Sequence, residues 1–516
     1  MASSLGRMME HVGGPMHAHA LLRPLELLLT VEETTVRQAA SESVQTIADQ
    51  LPDNSFQTDY AALLERLATK EWFTARISAA GLIPAAFPRL SESQRHSFLN
   101  YFAKLCKDET PMVRRIAAQH LGVMFKNVVQ VMGRSALEPD GTVVQVFMPL
   151  YEQFASTEQP DSVRLQTSEN CVAFGEVMSG LAQSEGPLLD SELDLLKRIL
   201  PLIVATIDDR SWRVRWTAAA KFALVITAYD HLPDAIDVLV PAYEKLLQDP
   251  EAEVRTAATF NLAHVAKCQA LVPIPSAQHG HASAPEAASL APRITVAERL
   301  VKRVTSLTED DSEHVRAALA MVATGLAPVL GKDATITHLV PPVLLLLRDA
   351  ASEVRLNLIS SLDALNQVIG VDLLSQSLLP AILDLAQDGK WRIRLAIIEH
   401  IPLLAKQLGR DFFTEKLVSL CVGWLGDDIA TIRTAAAANL KHLTALFGTE
   451  WATENLVPSI LEIRKHDSYL RRLTALQACS MMATEMAQDV ASLEILPLIL
   501  EMATDIVSGV DGQLCP

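Results

Sequence analysis

The chain has 516 residues, a formal net charge of −17, 49% apolar residues and 5% aromatic residues. Nucleic-acid binding depends on clustered Lys and Arg, so this acidic balance argues against a nucleic-acid-binding protein. The first ten residues lack the apolar core of a signal peptide, and no apolar run reaches the roughly eighteen residues that a membrane helix needs. We therefore expect neither nucleic acid nor a membrane as a partner.

Arginines recur at regular intervals near the start of apolar helical stripes, at Arg37, Arg76, Arg114, Arg164, Arg215, Arg255, Arg316, Arg355, Arg394, Arg433 and Arg472. From Arg316 to Arg472 every step is 39 residues, and earlier steps are 39, 38, 50, 51, 40 and 61. A fixed period near 40 residues is typical of stacked helical repeats. The sequence predicts an all-α fold, an α-α superhelix of about eleven helical hairpins with a partial hairpin at the end.

One repeat, Ile236 to Cys268, shows the pattern within a hairpin. Leu239, Tyr243 and Leu246 place apolar side chains on one helical face, a polar turn follows, and a second stripe begins at Val254. Neither helix can cover its apolar face alone, so stacking of neighbouring hairpins must cover both.

An aspartate precedes the arginine by six residues in seven repeats. These predicted structural pairs are Asp108 and Arg114, Asp209 and Arg215, Asp249 and Arg255, Asp310 and Arg316, Asp349 and Arg355, Asp388 and Arg394, and Asp427 and Arg433. Each carboxylate is expected to accept backbone N–H bonds at the turn, and each arginine to bond its own aspartate and that of the next repeat. Seven copies of one pair predict a structural ladder rather than a catalytic site.

Interruptions of the period predict the domain organisation. We expect a disordered N-terminus at 1–10, six repeats over 11–270, a flexible insertion at 271–293, five and a half repeats over 294–503 and an irregular tail at 504–516. Shorter expansions at Gly133 to Gly141 and Gln183 to Ser191 should emerge on the edge that joins successive repeats. The last hairpin lacks a second helix, which predicts either a fragment or spliced form, or an exposed face that pairs with something.

The sequence contains none of the common catalytic, phosphate-binding or paired metal-ligand motifs. His17 and His19, like His279 and His281, are weak metal candidates, and surface positions explain them more simply. We therefore predict no enzyme activity, no cofactor, no metal and no small-molecule substrate. The six cysteines are scattered without CxxC spacing, which predicts reduced, buried thiols and a cytoplasmic or nuclear location.

Several turns between paired helices carry aromatic and basic residues. Ser211-Trp212-Arg213 and Lys390-Trp391-Arg392 stand out, and Glu71-Trp72-Phe73 adds a third tryptophan. Trp and Arg often anchor protein interfaces, although indoles packed against the adjacent turn would explain the same residues.

The segments TVEETTVR (30–37), DETPMVRR (108–115), SWRVR (211–215), EVRLNLISSLD (353–363) and SQSLLPAILDLAQDGKWRIRLAIIEHIPLLAKQLG (375–409) closely resemble the scaffolding A subunit of protein phosphatase type 2A. DSVRL (161–165) and FFTEKLVSLCVGWL (412–425) extend the match. The resemblance implies a HEAT-repeat horseshoe whose N-terminal turn edge binds regulatory B-type subunits and whose last repeats bind the catalytic subunit. It also implies that family repeats at both ends are absent from this sequence.

Carried over residue by residue, the resemblance assigns two sets of interface residues. The regulatory-subunit edge would comprise Thr110, Pro111, Arg115, Asp161, Trp212 and Arg213. The catalytic-subunit edge would comprise Trp391, Arg392, Asp428 and Tyr469. The resulting hypothesis is a non-catalytic scaffold that holds a phosphatase together with a substrate-selecting subunit. The alternative is a transport-receptor-like solenoid whose acidic inner surface wraps basic cargo, with binding that collapses at high salt.

Overall fold

A computed structural model describes residues 2–230, 232–273, 292–370, 376, 378–463 and 465–502. The chain forms two compact units, Met1–Arg299 and Leu300–Pro516. Helices make up nearly all of the regular structure in both units, which confirms the predicted all-α class. Within the described ranges, no helix is long and apolar enough to cross a bilayer.

The first unit is a succession of helical hairpins. Its α-helices are α1 (Ala2–Leu5), α2 (Leu22–Leu28), α3 (Thr34–Gln50), α4 (Asp53–Ser55), α5 (Ala61–Thr69), α6 (Phe73–Ala86), α7 (Glu92–Cys106), α8 (Pro111–Met132), α9 (Met148–Ala155), α10 (Asp161–Arg164), α11 (Thr167–Ser184), α12 (Asp190–Ile207), α13 (Trp212–Tyr229), α14 (Pro233–Leu246) and α15 (Ala252–Val265). 3₁₀ turns occupy Glu10–Val12, Pro15–Leu21, Phe87–Arg89 and Gly133–Leu137, and π turns occupy Phe56–Tyr60 and Val143–Phe147. Two short strands, β1 (Leu271–Pro273) and β2 (Arg293–Thr295), follow α15.

The second unit continues the same alternation. Its helices, with α16 beginning just before the boundary, are α16 (Val296–Thr308), α17 (Glu313–Val322), α18 (Ala327–Leu330), α19 (Lys332–Ala334), α20 (Val340–Leu347), α21 (Ser352–Ile369), α22 (Leu379–Leu385), α23 (Trp391–Leu408), α24 (Arg410–Lys416), α25 (Val418–Gly423), α26 (Ala430–Phe447), α27 (Thr449–Asn455), α28 (Val457–Ile463), α29 (Tyr469–Ala483), α30 (Gln488–Val490) and α31 (Leu496–Met502). 3₁₀ turns lie at Ala323–Leu326 and Trp424–Gly426, and π turns at Thr335–Leu339 and Ala491–Ile495.

The second helices of successive hairpins pack against one another, as α6 does on α8 and α13 on α15. The core between them is aliphatic with buried aromatic side chains. Tyr243 of α14, fully buried, stacks on Phe222 of α13 with ring centroids 4.8 Å apart, and its hydroxyl donates to the Ala258 carbonyl at 2.5 Å. Burial of such a side chain stabilises the fold by about 1.5–3 kcal/mol, and the hydrogen bond removes the cost of burying its hydroxyl.

The two ends of the predicted flexible insertion are ordered, in contrast to the prediction. Leu271–Pro273 pairs antiparallel with Arg293–Thr295. Arg293 forms an ion pair with Asp237 of α14 at 2.5 Å, and buried Arg299 binds both Glu244 of α14 and the Pro273 carbonyl, at 2.7 and 2.9 Å. These ion pairs and hydrogen bonds hold the β1–β2 pair against α14. The Ala/Ser/Pro-rich composition of the insertion did not predict this restraint. Residues 274–291 of the insertion, with His279 and His281, lie outside the described residues.

The N-terminal segment also differs from the prediction of disorder over 1–10. Residues 2–10 are placed, with α1 packed on α3 and Ala2 buried. The Ala2 carbonyl accepts a hydrogen bond from buried Ser43 Oγ at 2.8 Å. Local composition could not reveal a contact made across forty residues. The predicted tail at 504–516 lies outside the described residues.

The two shorter expansions bind one another through Arg134. Its guanidinium donates to the Gly186 and Leu181 carbonyls at 2.9 and 3.3 Å, and its Nε lies 3.2 Å from Glu185 and 3.5 Å from buried Glu192. The first expansion therefore packs on the second where successive repeats join, on the side of the hairpins away from their intra-repeat turns.

Candidate docking edge on the intra-repeat turns

Each intra-repeat turn is closed by its aspartate. Asp209 shows the geometry: its Oδ1 accepts the Ser211 backbone N–H at 2.7 Å, two residues along the chain. The same bond, from the amide two residues on, is made by Asp108, Asp249, Asp310, Asp349, Asp388 and Asp427. The carboxylate thus fixes the turn just before the second helix begins, as the sequence pattern predicts.

The arginines bind differently from the expectation in one respect. Nη1 of each ladder arginine donates to the backbone carbonyl of its own turn aspartate, rather than to that carboxylate. The bond is made by Arg114, Arg215, Arg255, Arg316, Arg355, Arg394 and Arg433. At Asp209, Asp249 and Asp349 the carboxylate also accepts hydrogen bonds from the arginine of the preceding repeat.

Arginines of one repeat bind the aspartate of the next. These pairs are Arg76–Asp108, Arg164–Asp209, Arg215–Asp249, Arg316–Asp349, Arg355–Asp388 and Arg394–Asp427, with N···O distances of 2.6 to 3.1 Å. Arg114 instead donates to the neutral Gln159 side chain at 2.9 Å. Charge-assisted hydrogen bonds therefore connect successive turns within each unit. The connection at Gln159 is the neutral step of this ladder, because its acceptor is an uncharged amide.

Electrostatics at Asp209 show which effect dominates. Burial disfavours its ionised form, but hydrogen bonds from Arg164 and the Ser211 amide, together with the charges of Arg164 and Arg210, outweigh burial and hold the pKa of Asp209 below its usual value. The balance at Asp349 is the same: burial is outweighed by Arg316, the Ala351 amide and Arg355, so its pKa is also lowered.

The residues predicted for the regulatory-subunit edge fall into two groups in the first unit. Thr110 stands at the N-cap position of α8, and its backbone N–H donates to Asp108. Pro111 is the first helical residue, and exposed Arg115 lies one turn further along. Pro at this position needs no backbone donor and its φ suits the helix start. The neighbouring Met112 is 57% exposed and adds an apolar side chain that the sequence reasoning did not assign.

The second group is brought together by direct contacts. Ser211 Oγ lies 3.4 Å from Asp161 Oδ2, and the Arg213 guanidinium lies 3.9 Å from the same carboxylate. Arg213 also sits 5.8 Å from the Trp212 ring centroid, within the range of a cation–π contact. Trp212 remains 42% exposed, so a large part of its indole is open to solvent.

The residues predicted for the catalytic-subunit edge lie at turns of the second unit. Arg392 stacks over the partly buried Trp391 ring at 4.7 Å, and Asp428 and Tyr469 are exposed on the two following turns. The Arg394–Asp427 ion pair of the ladder joins the first two of these three turns. A groove beside them is lined by Asp388, Gly389, Asp427, Asp428 and Arg471, among others.

Three large exposed apolar residues on α13 and α15 were missed. Trp216 and Leu224 of α13 and Phe260 of α15 are 44%, 49% and 47% exposed. Trp216 follows Trp212 by one helical turn, so i, i+4 spacing after the aromatic turn residue was the available signal.

Among the described residues no group of three His, Cys, Asp or Glu side chains is arranged to hold a metal ion. Five of the six cysteines, Cys106, Cys171, Cys268, Cys421 and Cys479, are described, and all are free and buried. Burial raises the pKa of Cys171 and Cys479 to about 12, which disfavours the reactive thiolate.

Comparisons with known proteins agree with the sequence resemblance. A family model described as PPP2R1A-like HEAT repeat matches residues 234–331, and a HEAT repeat model matches residues 98–128. The beta isoform of the 65 kDa regulatory A subunit of serine/threonine-protein phosphatase 2A from Homo sapiens is 40% identical over 347 residues, covering 66% of this chain and 50% of the relative. The regulatory A subunit of protein phosphatase PP2A from Schizosaccharomyces pombe is 38% identical over 227 residues, covering 43% of this chain and 34% of the relative.

A probable PP2A regulatory subunit from Caenorhabditis elegans is 41% identical over 178 residues, covering 34% of this chain and 28% of the relative. The chain thus spans half or less of the length of these relatives. The predicted similarity to the scaffolding A subunit of PP2A is confirmed. The relatives carry the names of regulatory subunits, which supports the prediction that this chain is not an enzyme.

Solved structures share the fold at low identity. A crystal structure of importin beta matches with a TM-score of 0.63 and 14% identity, covering 99% of this chain and 63% of that one. A structure of Kap95p with RanGDP matches with a TM-score of 0.61 and 13% identity, covering 96% of this chain and 60% of that one. At these identities the likeness shows the helical-repeat architecture alone.

Proposed function

We propose that this chain, a HEAT-repeat protein similar to the regulatory A subunit of protein phosphatase 2A, is a non-catalytic scaffold for a phosphatase assembly. Regulatory B-type subunits dock on the turn edge of the first unit, around Thr110, Pro111, Arg115, Asp161, Trp212 and Arg213. The phosphatase catalytic subunit docks on the turn edge of the second unit, around Trp391, Arg392, Asp428 and Tyr469.

One observation carries the proposal: each unit presents a tryptophan with an arginine over its ring at the exposed end of a rigidly closed turn. Trp212 with Arg213 and Trp391 with Arg392 have guanidinium-to-ring distances of 5.8 and 4.7 Å. Trp and Arg are the residue types most enriched among side chains that dominate binding energy. Because the Asp–Arg ladder fixes each turn beforehand, a partner would lose little free energy in ordering it.

The mechanism is an increase in effective concentration. A scaffold that holds a phosphatase and a substrate-recruiting subunit makes their encounter nearly intramolecular, without any chemistry of its own. Such a function needs no cofactor, metal or small-molecule substrate. The location proposed with it is the cytoplasm or nucleus, where reduced thiols are stable.

The acidic transport-receptor alternative is less well supported. Its structural likeness rests on identities of 13% and 14%, whereas the phosphatase relatives reach 38% to 41%. The alternative predicts binding to Lys/Arg-rich peptides that weakens sharply between low and high salt, because screening removes its electrostatic attraction. A peptide-binding measurement at two salt concentrations would separate the two functions.

The catalytic-subunit edge is tested by affinity measurement with a purified phosphatase catalytic subunit. Trp391→Ala should weaken binding about tenfold or more, as expected for an aromatic anchor. Leu446→Ala is the matched control, because Leu446 is 40% exposed but lies at the far end of second helix α26. Equal affinity of the wild-type and Trp391→Ala chains would remove this edge from the interface.

The regulatory edge is tested with a purified B-type subunit. Arg115→Ala should weaken binding, while Lys126→Ala, an exposed cation further along the same helix α8, should not. Equal losses from both substitutions would indicate general electrostatic attraction instead of a defined docking edge.

A further inference from the structure

A second exposed surface continues inward from the Trp212 turn. Trp216, Leu224 and Phe260, each 44% to 49% exposed, lie on the neighbouring helices α13 and α15. Single exposed apolar residues are common, but clustered large ones mark interaction surfaces. None of these side chains belongs to the turn edge described above.

Contacts between α13 and α15 fix how the cluster is arranged. Asn261 Nδ2 donates to the Ala219 and Ala220 carbonyls at 2.9 and 3.4 Å, which sets Phe260 beside the Ala220 level of α13. Further along, Thr227 Oγ1 and His264 Nε2 lie 3.2 Å apart. The two helices therefore run side by side over this stretch.

The stretch contains a gap between large side chains. Trp216, Ala220 and Leu224 follow one another at four-residue intervals on α13, so Trp216 and Leu224 are about 12 Å apart along the axis. Ala220, between them, contributes only a methyl group, and Phe260 stands at the same level on α15. The short side chain of Ala220 therefore lies between two large apolar side chains on α13, with Phe260 on the neighbouring helix, and we call this position the Ala220 notch.

Two cations on α13 near the notch lie close to carboxylates. Lys221 binds Glu169 at 3.0 Å, and Arg213 lies 3.9 Å from Asp161. The surface thus has an uncharged centre and a charged border, in which Lys221 and Arg213 each lie near a carboxylate. Specific interfaces have the same plan, an apolar core surrounded by a polar rim.

We propose that the Ala220 notch receives a large aliphatic or aromatic side chain from a helix of the regulatory subunit that docks at Trp212. This inference rests on the proposed function and extends its interface onto the face of α13. Trp212 and Trp216 are only about 6 Å apart along the helix, so one partner element reaches both. A helix suits the notch because residues at four-residue spacing form ridges and grooves that interlock with those of another helix.

The test uses a purified B-type subunit and measures its affinity for the full chain at roughly 0.15 M and 0.5 M salt, concentrations at which exposed charges are screened to different extents. Trp216→Ala and Phe260→Ala should each weaken binding about tenfold or more, and Ala220→Arg, which fills the notch with a charge, should weaken it further. The losses should be similar at both salt concentrations because the lost contacts are apolar. Val238→Ala is the control, since Val238 is 42% exposed on the first helix α14. Far-UV circular dichroism and melting curves confirm that each variant is folded.

The outcomes separate the two proposals. Failure of the wild-type chain to bind any B-type subunit overturns the proposed function and this inference with it. Wild-type binding that Trp212→Ala weakens, with Trp216→Ala, Phe260→Ala and Ala220→Arg all unchanged, overturns the notch and leaves the turn edge standing.

Discussion

Removing one charge from the inter-repeat ladder should destabilise a single junction. In the second unit, Asp349 receives Arg316 Nε and Nη2 at 2.6 and 3.1 Å, and Oδ1 also accepts the Ala351 amide at 2.8 Å. The side chains of Arg316 and Asp349 are only 17% and 7% exposed. Asp349→Asn keeps the size of the side chain but removes its charge and one of its acceptor oxygens.

The expected cost follows from burial and from the contacts that remain. Breaking a well-buried ion pair costs about 3–5 kcal/mol, because one charge is left without a partner. Arg316 keeps its bond to the Asp310 carbonyl at 2.7 Å and retains some access to water. We therefore expect a loss of about 2–3 kcal/mol, somewhat below the fully buried range.

Hydrogen exchange read by mass spectrometry is the suitable assay, because stability in repeat proteins is largely a sum over neighbouring units. Amides of α17 and α21 should open more readily in Asp349→Asn, while those of α8 should not change. Asp194→Asn is the matched control, since its pair with Lys197 is 3.0 Å long but the two side chains are 71% and 72% exposed. If both substitutions alter exchange to the same small extent, the ladder does not stabilise the repeats as argued.

Three further predictions concern low pH, the uncharged partner of Arg114 and a glycine at a helix end. Because folding lowers the pKa of Asp349, the stabilisation from its ionised form is complete above the unfolded pKa near 3.8 and is lost as the pH falls through the lower folded pKa. Acid-unfolding measurements should therefore show a smaller difference in free energy of unfolding between wild type and Asp349→Asn at low pH than at neutral pH. Gln159→Glu should give Arg114 a charged partner and raise the free energy of unfolding by about 1 kcal/mol in urea titrations, whereas a decrease would contradict the neutral-step interpretation. Gly409→Ala should lower the melting temperature, since the backbone there has φ +81° and ψ 165°, a region almost restricted to glycine that costs other residues about 1–3 kcal/mol; an unchanged melting temperature would count against that strain.

Much of the architecture could be read from spacing alone. The 39-residue arginine period predicted stacked hairpins because one geometric role recurs only when one structural unit recurs. A second signal went unused: Gly331, Gly370, Gly409 and Gly448 also recur every 39 residues, and each ends a second helix with positive φ. The need for glycine at these helix ends thus produces a sequence period as clear as that of the paired arginines.

Contacts that depend on distant residues could not be predicted in this way. The β1–β2 ladder is held by Arg293 and Arg299 bound to α14, whose partners Asp237 and Glu244 lie more than fifty residues earlier. Composition between the strands indicated only a loop. Of the candidate site, the aromatic turns were predictable from residue type, whereas the Ala220 notch emerged only once α13 and α15 were set side by side.

Arg134 joins the two lengthened connections on one side of the hairpins, while Arg164 still reaches Asp209 on the other. The extra residues therefore lie on the side of the inter-repeat connections, and they leave the ion pairing of the intra-repeat turns on the opposite side intact. A protein built this way can vary its length and decoration behind while the face offered to other molecules stays unchanged, so surface diversity and binding fidelity need not compete.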